Sequence, residues 1–291
     1  MGKRLVFWPF AFLSFVIIRI TMQDTWRLIR SSPATGAWNM ALDEAILEAV
    51  VQWQSPPTLR LYAWQPPCLS LGYAQSLNDV DWEALNSRGW QVVRRPTGGK
   101  AILHTDELTY AVIAPQDHPL VSGSVLESYR RIAAALVKAL HSLGLPARAD
   151  REYGQVNANG AVCFEVPSNY EITVDGKKII GSAQARRLQG VLQHGSFPLH
   201  GDLTRILDVL RYDNARQRED DAQRLLSHAT TAEAVLGHPI SWETAAEAFV
   251  RAFAETFNIR FQETAPSPLE MRRAEELMRE KYANPSWTQL R

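Results

Sequence analysis

Cysteine is nearly absent. The 291 residues hold two, Cys68 and Cys163, far apart in the chain. So few thiols build neither a disulfide framework nor a C-x-x-C zinc site, and they suit a reducing compartment, the cytoplasm. An excess of one charge is also missing, since 31 Lys+Arg stand against 31 Asp+Glu. That balance leaves no electrostatic footprint for bulk nucleic-acid binding. The seven histidines show no metal-ligand spacing such as H-E-x-x-H, and neither a Walker loop nor a G-x-S-x-G nucleophile elbow occurs. No metal is therefore expected. One long apolar run exists, Leu5 to Ile18, behind Lys3 and Arg4. It is short for a spanning helix, contains Pro9 and lacks a small-x-small cleavage site. Residues 1–21 read as an upstream extension or disordered leader, with a membrane-associating segment or a packed helix as alternatives, and the working protein is expected over 22–291.

With 46% hydrophobic residues and 9% aromatics, the remainder suffices for a sizeable core. Thr58 to Trp64 alternates Leu59, Leu61 and Ala63 with Arg60, Tyr62 and Trp64, the period of a half-buried strand. Further strands are expected at Leu69–Tyr73, Gln91–Arg95, Leu108–Ile113, Tyr170–Val174, Lys178–Ala183 and Val191–Leu199, with Asp175-Gly176 as a type I′ turn. Ser124 and Glu127 make a capping box ahead of the stripe Leu126, Tyr129, Ile132, Ala133, Leu136, Val137 and Leu140. A helix from Trp38 to Trp53 carries Leu42, Ile46 and Val50. Ser241 opens a C-terminal helical region from about 241, and Ser267-Pro268-Leu269-Glu270 caps the last helix. Arg216 to Arg224 reads as a solvated helix face. Segregated helices beside a hairpin-rich sheet predict an α+β fold with a mixed or antiparallel sheet flanked by helices.

Two segments carry candidate chemistry. In Arg94-Arg95-Pro96-Thr97-Gly98-Gly99-Lys100-Ala101-Ile102-Leu103-His104, paired glycines permit a tight reversal whose N–H groups can approach a ligand. A hairpin turn between surface arginines is the competing reading. In the second, Cys163 precedes a hairpin whose returning strand starts Lys177-Lys178. Alternation sends these lysines to opposite faces, and an inward ammonium near a thiol favours thiolate, lowering its pKa from about 8.5. A buried structural cysteine is the alternative for Cys163, and the reading adopted for Cys68. His194 lines a site or satisfies a core hydrogen bond.

Together these segments resemble a known family. RRPTGGKAILH is similar to the RRxxGGxxVxH signature of the lipoate-protein ligase and octanoyltransferase superfamily, and GKKIIGSAQ with LQHGS is similar to its second block. AVCFEVPSNYE resembles the thiol-bearing, LipM-type branch. The likeness runs from about Trp26 to Trp287-Thr288. It implies a biotin/lipoate ligase-like catalytic domain that takes octanoyl from acyl carrier protein onto Cys163, with Lys178 lowering the thiol pKa. The acyl group then passes to a lysine of a lipoyl domain, in the glycine cleavage H protein or an E2 subunit. Lys177 would be the solvent lysine. Neither ATP nor another cofactor is implied, and no nucleic-acid or membrane partner. Substrate-binding residues would be Arg94, Arg95, Gly98, Gly99, His104, Gly181, Ser182, Ala183 and His194. The acyl pocket is expected along Leu71-Gly72-Tyr73, Gly98-Gly99 and Gly181-Ser182-Ala183, and Arg94, Arg95, Arg186 or Arg187 would dock the acidic carrier. An ATP-dependent lipoate-protein ligase and an octanoyl amidotransferase between lipoyl domains are the alternatives, with a non-catalytic acyl- or lipoyl-domain binding module further off.

Overall fold

The computed structural model describes residues 24–150 and 171–290. The apolar leader and Cys163 lie outside the described residues. The elements in order are β1 (Asp24–Arg30), α1 (Gly36–Val51), β2 (Thr58–Tyr62), β3 (Cys68–Leu71), α2 (Trp82–Ser87), β4 (Gln91–Arg94), β5 (Ile102–His104) and β6 (Glu107–Pro115). There follow α3 (Val125–Ser142), β7 (Arg148–Asp150), β8 (Glu171–Val174), β9 (Lys177–Arg187) and β10 (Gly190–Pro198). The chain continues through α4 (Ala215–His228), α5 (Ala232–Leu236), α6 (Trp242–Phe257), β11 (Ile259–Glu263), α7 (Pro268–Leu277) and α8 (Pro285–Thr288). Among the described residues the strands form one sheet in the order β11-β1-β2-β6-β10-β9-β8-β7 and a small one in the order β4-β3-β5. β1 runs parallel to both β11 and β2, and the rest of the large sheet is antiparallel, so it is mixed, as expected for the α+β class.

Local signals in the sequence become real caps and turns. Ser124 and Glu127 form a reciprocal capping box, as do Ser267 and Glu270, and the Ser241 hydroxyl accepts from Thr244 N–H. Asp175 and Gly176 both have positive φ (50° and 77°), which the two-residue hairpin between Val174 and Lys177 requires. The α3 stripe begins later than expected: Leu126 is exposed, and the buried face starts at Ser128 and Ile132.

Both sheet faces are covered, and this corrects one expectation. Leu59 and Leu61 enter a core shared with α3 and α6, where Phe249 stacks on Phe197. The alternate residues Arg60 and Tyr62 were expected to meet solvent, yet β2 is buried throughout. α1 lies over them, and its Asp43 takes the Arg60 guanidinium at 2.6 Å and the Tyr62 hydroxyl at 2.9 Å. Period two thus reported two different environments, one apolar and one ionic, rather than inside and outside. α1 and α7 close this second face. The small sheet has its own core with α2, α4 and the 3-10 turn Leu203–Val209. The charged face of α4 is solvated as expected, with Leu225 its one buried residue.

Candidate active site

A cavity of about 120 Å³ forms where α1 stops covering the large sheet. Tyr62, Thr109, Ser196 and Gly181 are cross-strand partners on β2, β6, β10 and β9, so they share one face and form a row under the cavity. Met40 of α1 borders it, and Ser70, Ile102, His104 and the loop with Arg95, Gly99 and Lys100 roof it. On the same measure a single water needs about 10–15 Å³, so the space is roughly that of eight or more heavy atoms. The row crosses three strand spacings of about 4.8 Å each, long enough for an extended eight-carbon chain.

The glycine loop is held by its own arginines. Arg95 donates to the carbonyls of Ser70, Gly98 and Lys100 at 2.7–3.2 Å. Arg94, fully buried, donates to the carbonyls of Gly72, Gln75 and Thr288 at 2.7–3.1 Å. It therefore ties the C-terminal α8 to the loop and cannot present its charge to a carrier protein, contrary to the docking expectation. Gly99 has φ +94°, and a Cβ on Gly72 would lie 1.8 Å from the Gly99 carbonyl oxygen. Gly72 thus permits the close approach of two backbones, while Leu71-Gly72-Tyr73 does not line the cavity as expected. Gly98 also stands outside the lining. Arg186 is occupied by the carbonyls of Val121, Gly123 and Ser124, and Arg187 lies over the Tyr73 ring at 5.0 Å.

Behind the wall are two ionic clusters that sequence reasoning missed. Asp43, buried with Arg60, directs its second oxygen at His194 Nδ1, 3.6 Å away, and His194 Nε2 lies 2.7 Å from the Thr97 hydroxyl. Burial opposes ionisation of Asp43, but Arg60 and His194 hold its carboxyl below the usual range. Burial also pushes His194 down, so it is neutral at pH 7. A carboxylate only accepts, which leaves the proton on Nδ1 and lets Nε2 accept from Thr97. In the second cluster His104 bridges Glu107 and Ser70 at 2.7 Å each, with Trp64 stacked on its ring. Glu107 also accepts from the hydroxyls of Thr109 and Ser196. Burial opposes its ionisation as well, but His104 and these hydroxyls keep its carboxyl low. Each cluster joins side chains from different elements; beyond the two motif histidines, the sequence signals were Arg60 and Asp43 inside otherwise apolar segments for the first and Glu107 three residues after His104 for the second.

Lys178 reaches the cavity through a β-bulge. Ile172 pairs with Ile180, but Thr173 pairs with Lys178, leaving Ile179 without a partner on β8. Ile179 and Ile180 both enter the core under α3 and α6, and Lys178 is thereby turned to the same face as Gly181 and Ala183. Lys178 is 3% exposed and its Nζ donates to Glu171 at 2.7 Å. Lys177 points outward and donates to the Leu226 carbonyl. The cavity thus gathers Lys178, Arg95, Gly99, His104, Gly181, Ser182, Ala183 and His194 of the expected residues. Cys68 is fully buried, and burial pushes its thiol far up, so it is a structural cysteine as expected. Among the described residues no group of His, Cys, Asp and Glu could hold a metal ion.

Residues 35–254 match the model of the lipoyl protein ligase A/B catalytic domain. The chain belongs to that family. Curated relatives of the family include octanoyltransferase LipM of Kyrpidia tusciae, 43% identical over 270 residues that cover 91% of this chain and 98% of that protein. Octanoyltransferase LipM of Moorella thermoacetica is 41% identical, covering 92% and 99%. Among solved lipoyl protein ligase structures, the bipartite lipoate protein ligase of Thermoplasma acidophilum superposes with a TM-score of 0.77 at 26% identity, over 91% of this chain and 96% of that one. A lipoate-protein ligase A bound with ATP gives 0.73 at 27% identity, over 92% and 99%.

Proposed function

We propose that this chain is an octanoyltransferase of lipoate biosynthesis, which takes octanoyl from the thioester of acyl carrier protein onto Cys163 and passes it to a lysine of a lipoyl domain. The observation that carries the reading is the apolar cavity with one buried ammonium, Lys178, at its wall, in a chain matched along nearly its whole length by octanoyltransferases. The GKKIIGSAQ segment that bears Lys178 follows the Cys163 motif by a few residues, and the bulge aims it into the space an acyl chain would fill.

The chemistry follows from two displacements. Thiolate of Cys163 attacks the thioester carbonyl, the carrier thiol leaves, and the Lys178 ammonium offsets the developing negative charge. Exchange of one thioester for another is nearly balanced, whereas the amide formed with the acceptor lysine is far more stable, so no ATP is consumed. Burial at about 0.8 kcal/mol per methylene lets the cavity contribute several kcal/mol to octanoyl binding. The acceptor is a lipoyl domain of the glycine cleavage H protein or an E2 subunit. Among the described residues no helix is long and apolar enough to cross a membrane.

The test is transfer from octanoyl-acyl carrier protein to a purified lipoyl domain without ATP, read by mass. An octanoylated domain supports the proposal. Modification only with free octanoate and ATP would assign the chain to the ligases instead.

A further inference from the structure

Trp287 and Thr288 end the family resemblance at the C-terminal side, yet neither lines the cavity. Both instead grip its roof. Trp287 Nε1 donates to the Arg94 carbonyl at 2.8 Å, where β4 hands over to the glycine loop. In return the Arg94 guanidinium donates twice to the Thr288 carbonyl, at 2.8 and 3.1 Å. The same guanidinium holds the carbonyls of Gly72, Tyr73 and Gln75 at 2.7–3.1 Å. Tyr73 N–H donates to the Thr97 carbonyl at 2.9 Å, and Gly72 lies against the Gly99 carbonyl. A displacement of α8 is therefore passed by Arg94 to residues 72–75, and by them to Gly99 above the cavity. The Trp287 ring adds a second route. It meets the Tyr73 ring at 5.9 Å between centroids, and Tyr73 also meets Arg187 at the end of β9, whose Gly181 and Ala183 line the cavity.

α8 is itself anchored to α1. The Tyr282 ring meets Trp287 edge-on at 5.8 Å, and its hydroxyl donates to Glu44 of α1. Lys281 Nζ pairs with Glu44 at 2.6 Å and lies 4.3 Å from the Trp287 ring centroid. α1 also carries Met40 at the cavity border. One side chain outside the cavity thus joins its helical border to its roof.

We propose that Trp287 is a positioning residue that sets acyl-chain length from outside the cavity, by fixing the glycine-loop roof over the strand floor. The proposal rests on the octanoyltransferase reading given above. In a space of about 120 Å³ the fit of the last methylenes depends on the separation of roof and floor. A misplacement of about 1 Å caused by a remote change is enough to alter a reaction strongly. Loss of the indole takes one donor from the Arg94 carbonyl and one ring neighbour from Tyr73. The roof then yields to a longer chain, so discrimination falls while the reacting groups stay in place.

The experiment sets octanoyl- and decanoyl-acyl carrier protein in competition for one lipoyl domain and reads the product ratio by mass, in wild type, Trp287→Ala, Trp287→Phe and Phe257→Ala. That ratio reports relative kcat/KM and is independent of how much protein is folded, so lost stability alone does not move it. Phe257, packed on Phe253 in the core on the other face of the sheet, is the control for general loosening. Wild type is expected to favour octanoyl by about tenfold or more, and Trp287→Ala to cut that preference by about fivefold. Trp287→Phe keeps a ring against Tyr73 and loses only the N–H, so it should cut the preference by about twofold, and Phe257→Ala should leave it unchanged. An unchanged ratio in Trp287→Ala, or an equal shift in Phe257→Ala, overturns the proposal, as does a wild type that transfers both chains alike. Transfer of neither chain by wild type would overturn the octanoyltransferase reading and this proposal with it, an outcome distinct from failure of the proposal alone. Should Trp287→Ala not fold, Trp287→Phe decides by the same ratio: a reduced preference supports the proposal and an unchanged one overturns it.

Discussion

Asp43→Asn should cost the protein heavily, because it leaves the Arg60 guanidinium inside the fold without a counter-charge. Arg60 and Asp43 are both fully buried, and among the described residues the arginine reaches no other carboxylate: its remaining donors go to Asn39 O at 3.1 Å, Asn39 Oδ1 at 2.8 Å and Ser31 Oγ at 3.0 Å. Breaking such a pair from one side costs about 3–5 kcal/mol, a large part of a total stability of about 5–15 kcal/mol. For a chain of this size that is a drop in Tm of roughly 6–20 °C, taking about 2–4 °C per kcal/mol. Asp43→Leu combined with Arg60→Met removes both charges and should recover most of the loss. Asp43 also sets the proton position on His194, which holds Thr97 of the glycine loop. The surviving folded Asp43→Asn should therefore bind octanoyl donor more weakly, with KM raised more than kcat is lowered. Urea denaturation with a double-mutant cycle checks the first claim and steady-state kinetics the second. A loss under about 0.5 kcal/mol for Asp43→Asn, or a double variant worse than the sum of the singles, would refute the reasoning.

Further outcomes follow from the same geometry. Gly72→Ala places a methyl 1.8 Å from the Gly99 carbonyl oxygen, so it should displace the glycine loop and abolish transfer while far-UV circular dichroism stays native. Ala183→Leu narrows the cavity wall and should shift preference from octanoyl toward hexanoyl by about 1–3 kcal/mol in kcat/KM, measured by competition between the two donors. The low folded pKa of Glu107 means that its contribution to stability is fully present above its unfolded value of about 4.3 and is lost as pH falls through the lower folded value. Chemical denaturation between pH 3 and 6 should show a slope that Glu107→Gln reduces.

Local physics was legible in the sequence, and non-local pairing was not. Ser124, Ser241 and Ser267 announced helix starts because a cap is decided within four residues, and Asp175-Gly176 announced a hairpin because only certain residues adopt its positive φ. The motif residues Arg95, Gly99, His104, Gly181 and His194, far apart in the chain, line one cavity. Arg60 was misplaced because alternation cannot tell solvent from a buried aspartate on a helix 17 residues away. The inward aim of Lys178 depends on a bulge at Ile179 that no turn residue signals. Arg94 looked like a surface docking charge because the α8 carbonyl it holds lies 194 positions along the chain. Met40, Tyr62 and Trp64 line the cavity only because α1 and β2 meet the roof of the small sheet, a contact that periodicity does not encode.

The most direct measurement is intact mass spectrometry of the protein mixed with octanoyl-acyl carrier protein in the absence of ATP, with Cys163→Ala alongside. The account predicts a hydroxylamine-labile octanoyl adduct on the wild-type protein, absent from Cys163→Ala and discharged on adding a lipoyl domain. Transfer that proceeds in Cys163→Ala at the wild-type rate, or an adduct that maps to another residue, would contradict it.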